Sequence, residues 1–453
     1  MLPVKILLGL LGLGIVVFIH ELGHFIAARL SGITVEAFSI GWGWPILKKK
    51  IGTVEYRLGV FPVGGYCKMK GENEFQDAWE NHKQEIKGSP DSYFGSSPWR
   101  RIFTCFMGPF FNLVFAVLVL SIIWGIGFEV NTEDNRIVLL SDIDGERAPH
   151  PSDEAGLKTG DRIIKINGKA VSNYYELREN IIINPEKNLP VQVERDSRLL
   201  ERTVRPRLDK SSGAGVIGIY SWTDPVIDSV EKGSPADIAG LAAGDKFLKI
   251  NGEDFFYTAD IFRILKDKPV SLSVEYERGG DIHNTEINVV YTEKGPERLG
   301  IYWQGIQFRT PRLNPIEALI KGGAETAKIF AVSVKSFGLL FRGIDLTKAV
   351  SGPVRITYML GDAAAEGFGQ GFGIGISSMA NFLALISIAL CIMNLLPLPI
   401  IDGGMILVFL IEGIRRKPLH PRAIQIYQTI GVFIIFSLML FAVFGDILFL
   451  TRR

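Results

Sequence analysis

Four stretches of the chain are apolar for long enough to cross a bilayer core of ~30 Å, which takes about 20 helical residues. They run from Val4 to Leu30, Phe103 to Phe128, Phe372 to Leu396 and Ile424 to Leu450. A fifth, around Ile329 to Phe341, is broken at helical intervals by Lys321, Glu325, Lys328, Lys335 and Arg342. That pattern predicts an amphipathic helix lying at an interface. Between the second and third spans the period drops to two, with turn residues between short runs, as strands require. Composition fits such a composite: 453 residues with 47% hydrophobic and 21% charged are neither membrane throughout nor uniformly soluble. A net charge of +1 gives no reason to expect nucleic acid. Cys67, Cys105 and Cys391 are too scattered for a disulfide framework or a paired-cysteine metal site. The first span is longer than the apolar core of a secretory leader and carries His20, Glu21 and His24, which a cleaved leader has no use for.

Lysine and arginine are retained on the cytoplasmic side of spans. The loop 31–101 holds ten of them, and Arg415, Arg416, Lys417 and Arg422 follow the third span, against only Arg452 and Arg453 at the C-terminal tail. Both loops are therefore expected inside, with both termini and the long stretch after the second span outside. The chain divides into a span (1–30), an inner loop (31–101), a span (102–128), outer units (129–221 and 222–305), an amphipathic helical region (306–371), a span (372–402), an inner segment (403–423) and a last span (424–450). The fold class is a polytopic α-helical membrane protein with four transmembrane helices, a cytoplasmic-side β-hairpin loop and two extracytoplasmic α+β domains.

The two outer units are a repeat, and fixed-period self-similarity has to be settled before any site is named. The segment from Pro151 to Asp161 recurs 84 residues later from Pro235 to Asp245, followed by Ile166-Asn167-Gly168 and Ile250-Asn251-Gly252. Ile217-Gly218-Ile219-Tyr220 answers Leu299-Gly300-Ile301-Tyr302. Each unit reads as a short helix, a Gly-Asp turn, a strand and an Asn-Gly turn into the next strand. This resembles tandem PDZ domains, which accept an extended peptide as an added strand on a sheet edge. A spacer or gate without a peptide ligand is equally compatible with the pattern.

The chemistry starts at His20-Glu21-Leu22-Gly23-His24. Positions i and i+4 share a helix face, so both imidazoles can reach one metal while Glu21 stays near enough to handle a water. Zn²⁺ suits two imidazoles plus a carboxylate with an open fourth place, and it lowers the pKa of a bound water towards ~7. Ionisable residues inside a span are functional by default, since each opposes insertion by ~2.5–3.5 kcal/mol. His20 lies ~24 Å along the helix from Val4 at 1.5 Å per residue, in the cytoplasmic part of the span. The third span runs inward and ends in Asn394-Leu395-Leu396-Pro397-Leu398-Pro399-Ile400-Ile401-Asp402-Gly403-Gly404, which brings Asp402 to a similar depth. Its prolines unwind the helix, and irregular backbone at that depth is tolerated where it lines a polar site. Asp402 is thus the candidate third ligand, the alternative being a helix N-cap. His82, His150, His283 and His420 lie in polar segments away from this chemistry.

These two motifs resemble those of the site-2 protease family of intramembrane zinc metalloproteases, whose HExxH helix and N-x-x-P-x-P-x-L-D-G segment supply the metal ligands. Here Ile401 stands where leucine is usual. The resemblance extends to Gly41-Trp42-Gly43, Phe61 to Tyr66, Gly108 to Asn112 and Ser351-Gly352-Pro353, nearly the whole chain. Two PDZ domains between spans two and three point to the branch that regulates the sigma-E stress response from the inner membrane of Gram-negative bacteria. The resemblance implies Zn²⁺ held by His20, His24 and Asp402, with Glu21 as general base and Asn394 hydrogen bonding the substrate backbone. The implied substrates are single-span membrane proteins already shortened on the outer side, such as an anti-sigma factor after its first cut, and leftover signal peptides, with the periplasmic PDZ pair as a size filter. A helical substrate must be extended to expose its peptide bonds. Thr53 to Leu58 and Val63 to Lys70, with Gly64, Gly65 and Tyr66, read as a hairpin whose free edge pairs with an unwound substrate, or merely packs on the helices. Gly41 and Gly43 allow close backbone approach or form a turn. The other reading is a proteolytically weak metal-dependent membrane binding protein or a metal transporter, although a transporter predicts ionisable residues along several helices.

Overall fold

The computed structural model describes residues 2–144, 149–210, 213–292, 295–296, 299–339, 352–370 and 372–451. They form two compact units, one of residues up to Phe128 and from Thr310 onwards, the other from Glu129 to Arg309.

The first unit is helical apart from one sheet. Helix α1 (Leu2–Leu30) leads into strands β1 (Val35–Ile51) and β2 (Val54–Met69), then α2 (Glu72–Glu80) and α3 (Pro98–Ile126). After the second unit come α4 (Pro315–Leu339), α5 (Pro353–Gln370), α6 (Phe372–Leu395), α7 (Asp402–Arg415) and α8 (Pro421–Thr451). Among the described residues, four helical segments are long and apolar enough to cross a membrane: Ile6–Leu30, Pro98–Ile126, Gly373–Leu395 and Pro421–Ile447. Small residues set how closely the helices approach. A side chain at Gly23 would run into the Met107 carbonyl of α3, and one at Gly9 or Gly12 would meet Thr357 or Leu360 of α5.

Three expectations need correcting. The region 306–371 is not wholly interfacial. Its α5 packs against α1 and α6 with Leu360 and Ala364 fully buried, and is part of the bundle. Asp446 of α8 accepts the Gly352 and Val354 N–H groups, both at 3.0 Å, at the start of α5, whose first N–H groups would otherwise lack partners. Ile306–Arg309 is a strand paired with Glu129–Thr132, which closes the second unit where its chain enters and leaves. The third span does not run to Asp402, because α6 stops at Leu395 ahead of Pro397 and Pro399, and the inner segment after it is largely helix α7. Residues 340–351, with Arg342 and Ser351, and the tail arginines lie outside the described residues.

The expected hairpin also takes another form. Thr53–Leu58 and Val63–Lys70 are not partners, because the first half of β1 lies between them. Val35 to Ile40 pair with Met69 to Gly65 on one side, Ala37 to Ile40 face Glu55 to Leu58 on the other, and Leu47 to Ile51 pair with Leu58 to Val54. Both strands double back, β1 at Gly41 and Gly43 with φ of 81° and 90°, β2 at Gly64 with φ of 83°. Glycine tolerates those angles. The result is four ladder segments in place of two, with 65–69 along one edge.

In the second unit two halves repeat one architecture. The first sheet has the order Lys169–Ala170, Arg162–Ile166, Leu189–Arg195, Arg198–Val204, and the second Glu253–Asp254, Lys246–Ile250, Ser271–Arg278, Asp281–Asn288. Each half has its own apolar core, around Ile163, Ile166 and Val193 in one and Phe247, Ile250 and Val274 in the other. Asn167 and Asn251, with φ of 52° and 51°, turn the chain at equivalent places. Asn is among the few residues that enter the left-handed region readily.

Candidate metal centre

Helix α1 presents His20 and His24 on one face, and the break between α6 and α7 brings Asp402 to them. Pro397 and Pro399 prevent the helix from continuing, and Ile400 is forced to a φ of 80°, a rare angle for a β-branched residue. Gly403 and Gly404 let the chain fold back, since side chains there would collide with the Leu396 and Leu398 carbonyls. Ile401, not Asp402, is the N-cap residue, and no side-chain capping bond forms. The Asp402 carboxylate is therefore not spent on ending a helix.

Asp402 Oδ2 lies 3.2 Å from His20 Nε2 and 3.4 Å from His24 Nε2, and the two Nε2 atoms are 3.1 Å apart. The three ligand atoms all fall within 4.8 Å of one another. Asp402 Oδ2 is buried and makes no hydrogen bond. Two imidazole nitrogens and a carboxylate oxygen facing one point fit a cation of the Zn²⁺ type, for which this donor set is common.

Helix α3 closes the site from behind. Pro109 lacks the helix N–H that would bond the Cys105 carbonyl one turn back, and the neighbouring Thr104 carbonyl accepts from His24 Nδ1 at 2.8 Å. Gly108 lies against both rings, where a Cβ would stand 2.9 Å from His20 Cε1 and collide with the His24 ring. Only glycine leaves room for the imidazoles.

In front lies an open cavity of about 1050 Å³, lined by His20, Glu21, His24, Trp42, Tyr66, Cys67, Asn394 and Asp402, with Gln425, Gln428 and Thr429 of α8. Glu21 points into it and accepts the Cys67 N–H of β2. Gly65 is beside Glu21, with 3.3 Å between its Cβ position and Glu21 Cγ. Burial, with the Glu21 carboxylate nearby, pushes the Cys67 thiol up to about 12 and keeps it protonated. Of the residues expected to touch substrate, Asn394 and Tyr66 line the cavity and Gly65 adjoins it. Gly41, Gly43 and Gly64 instead shape the doubled-back strands, packed against Phe61 and Trp42. Thr104, Cys105, Tyr93 and the α8 glutamines belong to the site without any periodic or motif signal in the sequence.

The model of peptidase family M50 matches residues 8–438. The chain belongs to peptidase family M50. It is 35% identical over 448 residues to a protein of Treponema pallidum (strain Nichols) named "Putative zinc metalloprotease", covering 99% of each chain. It is 30% identical to one of the same name from Borreliella burgdorferi, with 98% of each covered, and 29% identical to "Regulator of sigma E protease" of Haemophilus influenzae, with 97% of each covered. A solved PDZ domain of an SdrC-like protein from Listeria monocytogenes aligns with 18% of this chain and 90% of its own, at 24% identity and a TM-score of 0.16. This M50 protein is an integral membrane zinc metalloprotease of the site-2 protease family.

Proposed function

We propose that His20, His24 and Asp402 hold the zinc, that Glu21 is the general base and acid, and that the enzyme cuts transmembrane segments of single-span proteins already truncated outside. The carrying observation is the buried, unbonded Asp402 oxygen facing two Nε2 atoms from another helix, with Glu21 alongside. Bound zinc supplies a Lewis acid that polarises water and the scissile carbonyl. Glu21 takes a proton from water in the cavity and returns it to the leaving amine. Asn394 offers an amide to the substrate backbone.

The sheet beside the site supports strand capture. Its 65–69 edge includes Tyr66, Cys67 and Met69 of the cavity wall, so an extended substrate segment can add there through backbone hydrogen bonds, with little demand on sequence. Trp42, Trp44, Ile46, Leu47 and Phe61 of the same sheet are exposed, an apolar surface that fits contact with lipid. Placement of lysine and arginine supports the bacterial inner membrane with residues 129–309 in the periplasm. We read that unit as two PDZ domains. In the first, the Tyr174 hydroxyl donates to the Ile219 carbonyl at 3.1 Å, at the open edge where a peptide would pair, which favours a gate or spacer there. By analogy with the sigma-E relative, the substrates are an anti-sigma factor after its first cut and signal-peptide remnants.

The test is cleavage of a truncated single-span substrate by the purified protein in detergent, with zinc content measured alongside. Glu21→Gln should lower turnover by at least ~10²-fold while keeping zinc, and Asp402→Ala should lose zinc. Wild-type turnover in Glu21→Gln, or full zinc in Asp402→Ala, would overturn the assignment.

A further inference from the structure

We propose that Asn112 is a positioning residue for the zinc site, accepting the Nδ1 proton of His20 as the Thr104 carbonyl accepts that of His24. The proposal rests on His20 and His24 being zinc ligands. An imidazole whose Nε2 faces a metal carries its proton on Nδ1, and the partner of that N–H fixes both tautomer and ring orientation. His24 has its partner in the Thr104 carbonyl, 2.8 Å away. At His20 Nδ1 stands the Asn112 amide, with Nδ2 3.3 Å away.

As placed, that amide sets a donor against a nitrogen that must itself donate. Asn112 is fully buried, and its Oδ1 has no hydrogen-bond partner. Amide oxygen and nitrogen have nearly the same shape, so their assignment follows from the network around them. Turning the amide over removes the clash at His20. Oδ1 then faces the His20 N–H and accepts from it.

The backbone around Asn112 is held as well. Its carbonyl accepts the Ser387 hydroxyl of α6 at 2.9 Å, in a fully buried contact. Thr104, Gly108 and Asn112 stand four residues apart on one face of α3, opposite His20 and His24 on one face of α1. The outer two supply acceptors for the rings, and the glycine between them supplies the space.

The experiment uses the full chain in detergent and reads zinc affinity by chelator competition, with thermal unfolding of each variant alongside. Asn112→Leu keeps the volume and removes the acceptor, Asn112→Asp keeps an acceptor, and His20→Ala checks the ligand assignment itself. Asn112→Leu should bind zinc about 10–100-fold more weakly, Asn112→Asp as tightly as wild type, and His20→Ala should lose it. If Asn112→Leu fails to fold, Asn112→Ala carries the same comparison with Asn112→Asp. The proposal is overturned if His20→Ala loses zinc while the acceptor-free variant binds like wild type, or if Asp and Leu at 112 weaken binding equally. Zinc retained by His20→Ala would instead overturn the ligand assignment beneath it.

Discussion

Both units bury aspartates, but they answer them differently. In the 129–309 unit, Asp161 and Asp245 are 1% and 0% exposed, and each is gripped through both oxygens by an arginine, Arg195 or Arg278, at 2.6 and 2.7 Å. Each also accepts a turn N–H, from Lys158 at 2.9 Å or Ala242 at 2.8 Å. In the helical unit Asp402 has no arginine and no hydrogen-bond donor at Oδ2, only two imidazoles from a neighbouring helix. A buried carboxylate with both oxygens bonded to one arginine and a turn N–H holds the fold, as its repetition in both halves indicates. One that instead faces two imidazoles is the candidate metal ligand.

The most direct test of this contrast at the metal site comes from one methyl group. Gly108→Ala puts a Cβ into the space of both imidazoles. Zinc affinity should fall by at least ~10-fold, with activity falling in step, while the repeat unit is unaffected. Unchanged zinc binding in this variant would mean the rings are not confined as described.

Next comes a buried ion pair in the helical unit. Arg101 of α3 and Glu412 of α7, side chains 7% and 3% exposed, meet at 2.8 Å, with the Arg101 guanidinium 4.4 Å from the centre of the Phe409 ring. The pair ties the helix that begins with Asp402 to the helix that carries Thr104 and Gly108. Arg101→Met strands a buried carboxylate and should destabilise by about 3–5 kcal/mol. Adding Glu412→Leu should recover most of that, short of the Leu419 N–H that Glu412 accepts at 2.8 Å. Unfolding of the two variants in detergent makes the comparison, and a double variant no better than the single would count against a stranded charge. Arg195→Met should have a smaller effect, about 1–3 kcal/mol, because Arg195 is partly exposed, and zinc content should not change. Loss of zinc there would erase the distinction between structural and ligating aspartates.

How far each region could be read in the sequence follows the same division. The repeat was visible because each half rebuilds one unit from local turns, such as the Gly-Asp turn before Asp161 and Asp245. His20, Glu21 and His24 were legible because a helix fixes their spacing, and the unwinding at Pro397 and Pro399 because proline permits little else. The doubling back of β1 and β2 was not, since pairing of 35–40 with two separate stretches is a long-range choice that glycines allow without specifying. Nor was the packing of α5, which falls within the region 306–371 expected at an interface, although a capping carboxylate from α8 and the glycines of α1 draw it into the bundle. Asn112 and Thr104 act through helix–helix contact, which no spacing along the chain reveals.

The smallest effect separates an exposed structural aspartate from both buried kinds. Asp91 closes the base of the sheet, accepting Lys70 Nζ at 2.8 and 2.9 Å and the Thr34 hydroxyl at 2.9 Å, while its carbonyl accepts the Thr34 N–H. The Lys70 ammonium, then Ser89 and Thr34, hold its carboxyl well below the usual carboxylate range. A group held low in the folded state favours folding above its unfolded value of ~3.9, and that contribution is lost as pH falls through the lowered folded value. The wild type should therefore outlast Asp91→Asn in thermal unfolding near neutral pH, by a small margin because the pair is solvent-exposed. The margin should shrink as pH drops below ~4. A difference that stays constant down the acid range would show that Asp91 acts through its shape rather than its charge.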